Sequence, residues 1–271
     1  MKNLLKESVF LQKTYRRYVQ PHLPQYEPET YILRGMKFDL CVDVGAHAGT
    51  YSILLSHNSQ RVFAFEPTTH SFNILRSLNI DKLVAYNLAL GDEDRELEIS
   101  LPTVAGKIDY ALATLRPLGA HEYEKVERQK VRVVKFDDFE GEIDFTRIDF
   151  VKIDVEGFEL QVLLGMRRLL ELKRAALLIE IEQRHNPRYR QVFGYLSALQ
   201  YQPYVTPDGV FLQQFSVGEL LGLQSHERLL VDEARKFRLG ERKMYINNFF
   251  FLQPAHKPLY PIAQRHDTVS A

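Results

Sequence analysis

The stretch DLCVDVGAHAGTYSILL, residues 39–55, decides how the rest of the chain is read. An apolar run, FDLCVDV (38–44), leads into a turn containing Gly45 and Gly49, then into the amphipathic-looking GTYSILLSH (49–57). That order predicts a buried strand, a tight loop and a helix, the arrangement that forms nucleotide pockets in open α/β sheets.

The same rhythm continues outward. RVFAFE (61–66) predicts a second strand and THSFNILRSLN (69–79) a second helix. LVAYNLAL (83–90) predicts a third strand, DFVKIDV (149–155) another, FELQVLLGMRRLLEL (158–172) a helix and AALLIEIE (175–182) a further strand. These strands are apolar on both faces, as expected when helices cover both sides of a parallel sheet. The fold class is therefore α/β, doubly wound around a mostly parallel sheet.

Residues 91–135 break the rhythm. RELEISLP (95–102) alternates like an edge strand or hairpin, and KVRVVKF (130–136) predicts a short strand. A polar loop with Gly106, Pro117 and Gly119 joins them, and such an insertion often reaches over a substrate site. YQPYV (201–205) and YINNFFFLQ (245–253) read as strands on either side of the charged SHERLLVDEARKFRLGERK (225–243). The expected organisation is an N-terminal helix and linker over 1–30, a domain over 31–256 and a loose tail over 257–271. Leu4, Leu5, Val9 and Phe10 give the N-terminal helix an apolar side, and Pro21, Pro24 and Pro28 separate it from the domain.

Thirty-five basic and 35 acidic residues balance, which disfavours a broad nucleic-acid footprint. The single cysteine, Cys41, excludes an internal disulfide and reads as a small core residue. Lys6 and Glu7 interrupt the N-terminus before a signal-peptide core forms. No stretch reaches the ~18 apolar residues of a membrane span, so the expected location is the cytoplasm.

Which ligand fits the loop turns on its residues. No P-loop pattern is present, and His47 stands where a dinucleotide fingerprint has its second glycine. What remains is D-x-G-x-x-x-G: Asp43, Gly45 and Gly49, with Ala46, His47 and Thr50 completing the turn. A carboxylate beside the loop repels a pyrophosphate and suits a cationic ligand. S-adenosylmethionine carries a sulfonium and an amino group and no phosphate. Glu66, ending the second strand ahead of Pro67, is placed to accept ribose hydroxyls. That spacing alone would serve NAD almost as well.

A second acidic cluster follows in VKIDVEGFE (151–159). Asp154, Glu156 and Glu159 fit helix capping, but Asp154 and Glu156 also lie at the edge where such sheets bind ligands. One strand later, Glu180, Glu182 and His185 reach the same edge. The candidate catalytic residues are Asp154, Glu156 and His185, with Asp154 orienting His185 in one reading. Asp154 and Glu182 are alternative ligands for a hard divalent cation. Tyr110, Tyr123, Tyr204 and Phe211 are candidates for stacking on sugar rings, though ordinary packing explains each.

VDVGAHAGTYSILLS, VFAFEPTTHSFNILRSLN, NLALGD, DFVKIDVEGFELQVLLGMRRLL and LLIEIE together resemble the FkbM-type S-adenosylmethionine-dependent methyltransferases over about residues 38–185, above all KIDVEG after AFEP. RHNP and YINNFFFLQ resemble a bacterial branch, and His47 departs from the Asn that many members carry. The resemblance implies a class I methyltransferase fold: a seven-stranded, mostly parallel sheet whose last strand, YINNFFFLQ, is antiparallel. It implies transfer of methyl groups to hydroxyl oxygens of glycans or natural products. It also implies Asp43, Gly45 and Gly49 around the methionine part, Glu66 on the ribose, and Ala89 and Leu90 beside the adenine.

Overall fold

The computed structural model describes residues 27–116, 118, 123–172, 174–207, 209–224 and 245–263. The predicted N-terminal helix and the charged segment 225–243 fall outside them. A short helix, α1 (Glu29–Arg34), leads into β1 (Phe38–Val44), α2 (Thr50–Asn58), β2 (Ser59–Phe65), α3 (Thr69–Arg76) and β3 (Leu83–Tyr86). The second half of the main sheet is β8 (Ile148–Ile153), β9 (Ala176–Glu180), β10 (Gln202–Val205), β11 (Gln213–Gln214) and β12 (Asn248–Leu252). Helices α4 (Glu159–Gly165) and α5 (Arg167–Glu171) follow β8, and α6 (Tyr189–Ala198) follows β9.

The sheet runs β11-β10-β12-β9-β8-β1-β2-β3. Pairings from β3 across to β9 are parallel, whereas β12 is antiparallel to both β9 and β10, as expected for YINNFFFLQ. The sheet has eight strands rather than seven. Gln213–Gln214 adds an edge strand, antiparallel to β10. Its two exposed glutamines give no apolar alternation to read.

Both faces are buried. Leu40, Val42 and Val44 belong to one core cluster while Cys41, with no exposure, belongs to the other. Strand β12 divides likewise, Phe249 and Phe251 to one side and Phe250 and Leu252 to the other. Helix α2 is not amphipathic: Tyr51 through Ser56 are all buried, because α1 packs over the side that would face water.

Two segments read as single elements are broken. LVAYNLAL splits into β3 and β4 (Ala89–Leu90), and β4 leaves the main sheet to pair with β7 (Lys125–Val134). The Asn87 side chain donates to the carbonyls of Glu66 and Pro67, anchoring the chain where it turns away. The long helix after β8 breaks at Met166 (φ −116°, ψ 27°). Just before the break, a Cβ on Gly165 would lie 1.7 Å from the Gly91 carbonyl oxygen, so helix and loop pack backbone to backbone.

The insertion carries longer strands than its sequence suggested. β5 (Arg95–Val104) and β7 pair antiparallel, and with β4 and β6 (Lys107–Ile108) they form a second, four-stranded sheet. Beyond Pro258 the chain is docked at first: Tyr260 is buried, and Leu212 donates to the Pro261 carbonyl.

Candidate functional site

Strand order reverses beside β1, which has β2 on one side and β8 on the other. In open α/β sheets the crevice at that switch point receives ligands. A cavity of about 250 Å³ lies there, at the carboxyl ends of β1, β2 and β8. Asp43, Gly45, Ala46, His47 and Thr50 line one side, and Glu66, Pro67, Ala89 and Leu90 another. Asp154 and Glu156 close the end near β8. Gly49 is not in the wall. It is the left-handed N-cap of α2 (φ 93°), and a Cβ there would meet Leu75 and Leu78.

The loop's shape has a steric cause. Gly45 has φ 76°, and a Cβ on it would lie 1.8 Å from the Asp154 carbonyl oxygen. No side chain can occupy that contact, so the loops after β1 and β8 touch through backbone alone. His47 is left-handed as well (φ 47°), and its N–H donates to Glu66 at 2.8 Å. The other Glu66 oxygen accepts from the Thr68 N–H at 2.8 Å and its hydroxyl at 2.5 Å. Glu66 is thereby oriented in the cavity wall, and its burial raises its pKa.

Asp43 is buried and accepts from the Ser52 hydroxyl at 2.5 Å. Burial, partly offset by that hydrogen bond and by Lys152, lifts its pKa to about 6. Lys152 itself is 1% exposed on β8 and was assigned no role from the sequence. Its Nζ donates to Asn248 Oδ1 at 2.9 Å, lies 3.7 Å from Asp154 and 4.0 Å from Glu180, and sits 4.9 Å from the Tyr51 ring centre. Burial acts to discharge it, but the surrounding acids Asp154, Glu180, Glu29 and Glu27 win and raise its pKa. A lysine between Val151 and Ile153, in a strand read as buried on both faces, was the available signal.

The third cluster differs from expectation in its pairing. His185 is held by Glu156, not by Asp154: Nδ1 is 2.5 Å from Glu156 Oε2 and 3.8 Å from Glu182. Glu156 reaches it from a left-handed backbone (φ 49°) ahead of α4, rather than from the first helical turn. Its pKa is raised by burial. His185 is not part of the cavity wall, whereas Glu156 is. Glu159, by contrast, serves the backbone, accepting from the Gly157 N–H at 2.7 Å and from Asn186.

Asp154, Glu156 and Glu180 present oxygens within 4.8 Å of one another. Glu182, paired with Asp154 in the sequence reading, is outside that group and bonds to Arg184, Tyr245 and Asn247. The three carboxylates already face Lys152 and His185. The donor set therefore suits an ammonium–carboxylate network better than a metal.

Of the aromatic candidates, Tyr110 lines the cavity and stacks on His70 with centroids 4.3 Å apart. Tyr204 is buried in the core on the far face, the ordinary packing that explains it. Phe211 is half exposed and lies outside the cavity wall, as does Tyr123.

Fold and cavity define a Rossmann-like α/β protein with a ligand crevice at its switch point, walled by acids and lacking a phosphate loop. The chain belongs to the FkbM methyltransferase family: the methyltransferase FkbM domain matches residues 43–203, more than half of its length. It is 28% identical over 133 residues to the hexuronic acid methyltransferase AglP of Haloferax volcanii, covering 49% of this chain and 52% of that protein. It is 28% identical over 142 residues to Methyltransferase 1 of Beauveria bassiana, covering 46% and 57%. The chain thus spans about half the length of the curated relatives it matches. The solved methyltransferase FkbM of Methylobacillus flagellatus aligns with a TM-score of 0.42 at 18% identity, over 76% of this chain and 54% of that one. Among the described residues, no helix is long and apolar enough to cross a membrane.

Proposed function

We propose that this protein transfers the methyl group of S-adenosylmethionine to a hydroxyl oxygen of a sugar, glycan or related natural product. The observation that carries the reading is the charge of the cavity wall. Glu27, Asp43, Glu66, Asp154 and Glu156 all line it, with Lys152 as the buried cation among them. Such a wall repels phosphates and attracts a ligand bearing positive charge. S-adenosylmethionine supplies an electrophilic methyl on a positively charged sulfur. Glu66 accepts from the ribose hydroxyls, and the N-terminus of α2 receives the carboxylate of the methionine part. The apolar patch of Leu88, Ala89, Leu90, Ile99 and Leu115 accommodates the adenine.

The acceptor oxygen bonds to the methyl carbon as the carbon–sulfur bond breaks, its electron pair staying on sulfur. The acceptor's proton passes to His185 Nε2. Glu156, accepting from Nδ1–H, holds the ring in the tautomer that leaves Nε2 basic and stabilises the imidazolium. The sugar class draws support from the hexuronic acid methyltransferase among the relatives.

The test is methyl transfer from labelled donor to a panel of hexuronic acids and neutral sugars, with and without chelator. His185→Ala and Glu156→Gln should each lower kcat by about 10²–10⁴-fold. Unchanged kcat in both variants would remove the dyad from the mechanism. Competing titrations with NAD and S-adenosylmethionine separate this reading from an oxidoreductase. Tight binding with no turnover across the panel would favour a non-catalytic adenosyl-ligand binder.

A further inference from the structure

Residue 27 lies outside the segment matching the family domain, yet its side chain enters the cavity. The backbone there is fixed: the Glu27 carbonyl accepts from the Thr30 N–H at 3.1 Å and the Thr30 hydroxyl at 2.8 Å, opening α1. Glu27 lines the wall beside Asp43, Tyr51, Lys152 and Asp154. Its Oε2 is shut off from solvent and has no hydrogen-bond partner. The neighbouring acid, Glu29, is accounted for, since the Tyr51 hydroxyl donates to it at 2.8 Å. The polar contacts of Lys152 are with Asn248, Ile153, Asp154 and Glu180. A buried carboxylate oxygen left unbonded costs stability. Burial raises the pKa of Glu27, outweighing the opposing pull of the nearby Tyr51 hydroxyl and Lys152.

We propose that Glu27 binds the α-ammonium of the donor's methionine part, so that the segment ahead of β1 supplies a wall of the donor site. This rests on S-adenosylmethionine being the ligand. The geometry supports an ammonium in particular. The ligand group must be a hydrogen-bond donor, to satisfy Oε2, and cationic, to balance Glu27, Asp43 and Asp154 against one lysine. A primary ammonium brings three donors and one positive charge. A hydroxyl satisfies the first condition only, and the sulfonium, with no proton, only the second.

The same logic separates a ligand contact from a structural one. If Glu27 were retained for folding, neutralising it would loosen the protein. If it is retained for the ligand, Glu27→Gln removes a desolvated charge from the empty protein, whose melting temperature should hold or rise. The binding probes are S-adenosylhomocysteine, which keeps the amino-acid part, and 5′-methylthioadenosine, which lacks it. Glu27→Gln should weaken S-adenosylhomocysteine at least tenfold by titration calorimetry while leaving 5′-methylthioadenosine within twofold. Glu27→Asp, shorter by one methylene, should fall between. Equal loss for both ligands, or none for either, would overturn the assignment of Glu27. Failure of the wild-type protein to bind S-adenosylhomocysteine would instead overturn the choice of donor, and the ammonium contact with it.

Discussion

Replacing Lys152 with methionine tests the electrostatic account of the cavity most directly. The side chains are similar in length, so the variant removes the charge with little change in volume. In the wild-type protein Nζ stands 3.7 Å from Asp154 and 4.0 Å from Glu180, with Glu27 and Glu29 also raising its pKa. Removing one partner of a buried ionic cluster leaves uncompensated charge and costs about 3–5 kcal/mol. For a chain of this size each kcal/mol is about 2–4 °C in melting temperature, so the expected loss near pH 8 is about 6–20 °C. The pH dependence is the sharper part. Burial already holds Glu29 at about 7 and Asp43 at about 6, above their unfolded values. Without Lys152 the carboxylates rise further. A group whose pKa is raised on folding contributes stability at low pH and loses it as pH climbs through the folded value. The difference between variant and wild type should therefore be small at pH 5 and grow towards pH 8. Calorimetric melting of both proteins across that range provides the measurement. An equal loss at pH 5 and pH 8 would mean that Lys152 contributes packing and not charge. No loss at pH 8 would refute the cluster altogether.

Gly45→Ala and Gly106→Ala compare two glycines with nearly equal φ, 76° and 75°, of which only Gly45 has a backbone atom in the way. Urea unfolding should show about 1–2 kcal/mol for Gly106→Ala from left-handed strain alone and clearly more for Gly45→Ala; equal costs would deny the contact with Asp154. Binding of S-adenosylhomocysteine should weaken on acidification below about pH 6, where Asp43 takes up a proton, by no more than about tenfold per pH unit for one group. Calorimetry from pH 5 to 8 measures this, and a flat profile would exclude carboxylate contacts to the cationic part.

What the sequence discloses about the fold follows from burial. β1, β8, β9 and β12 bury residues on both faces, so apolar composition marks them. The same cue misleads at LVAYNLAL, where apolar residues on both sides of Asn87 hide the passage from one sheet to another. Composition records that a segment is buried but not which partner buries it. β11 shows the opposite failure: its two glutamines are held by the backbone pairing of an edge strand, which imposes no pattern on side chains.

The site divides along the same line. Asp43, Glu66 and Asp154 were legible because each sits at the carboxyl end of a parallel strand, a position that topology alone brings to the cavity. Lys152 was hidden because its side chain points into the same crowd from two residues before Asp154, inside β8, where an interior residue is expected. Glu27 was hidden because it belongs to no strand of the sheet.

The assignment of Glu156 to His185 rests on backbone geometry. Glu156 is held left-handed, a conformation costing a non-glycine residue about 1–3 kcal/mol, which persists only where the surroundings over-determine it. Two contacts do so. The Thr114 hydroxyl donates to the Glu156 carbonyl at 2.6 Å, and Gly157, itself at φ 97°, lies so close to the His185 carbonyl that a Cβ would stand 2.6 Å from it. Thr114 in turn is bridged to Ser100 on β5. The strain that aims Glu156 at His185 is thus held from one side by the insertion and from the other by the chain following β9. The insertion is therefore more than a cover over the cavity: it fixes the carboxylate that meets His185 Nδ1, which joins two parts of the chain that composition presents as unrelated.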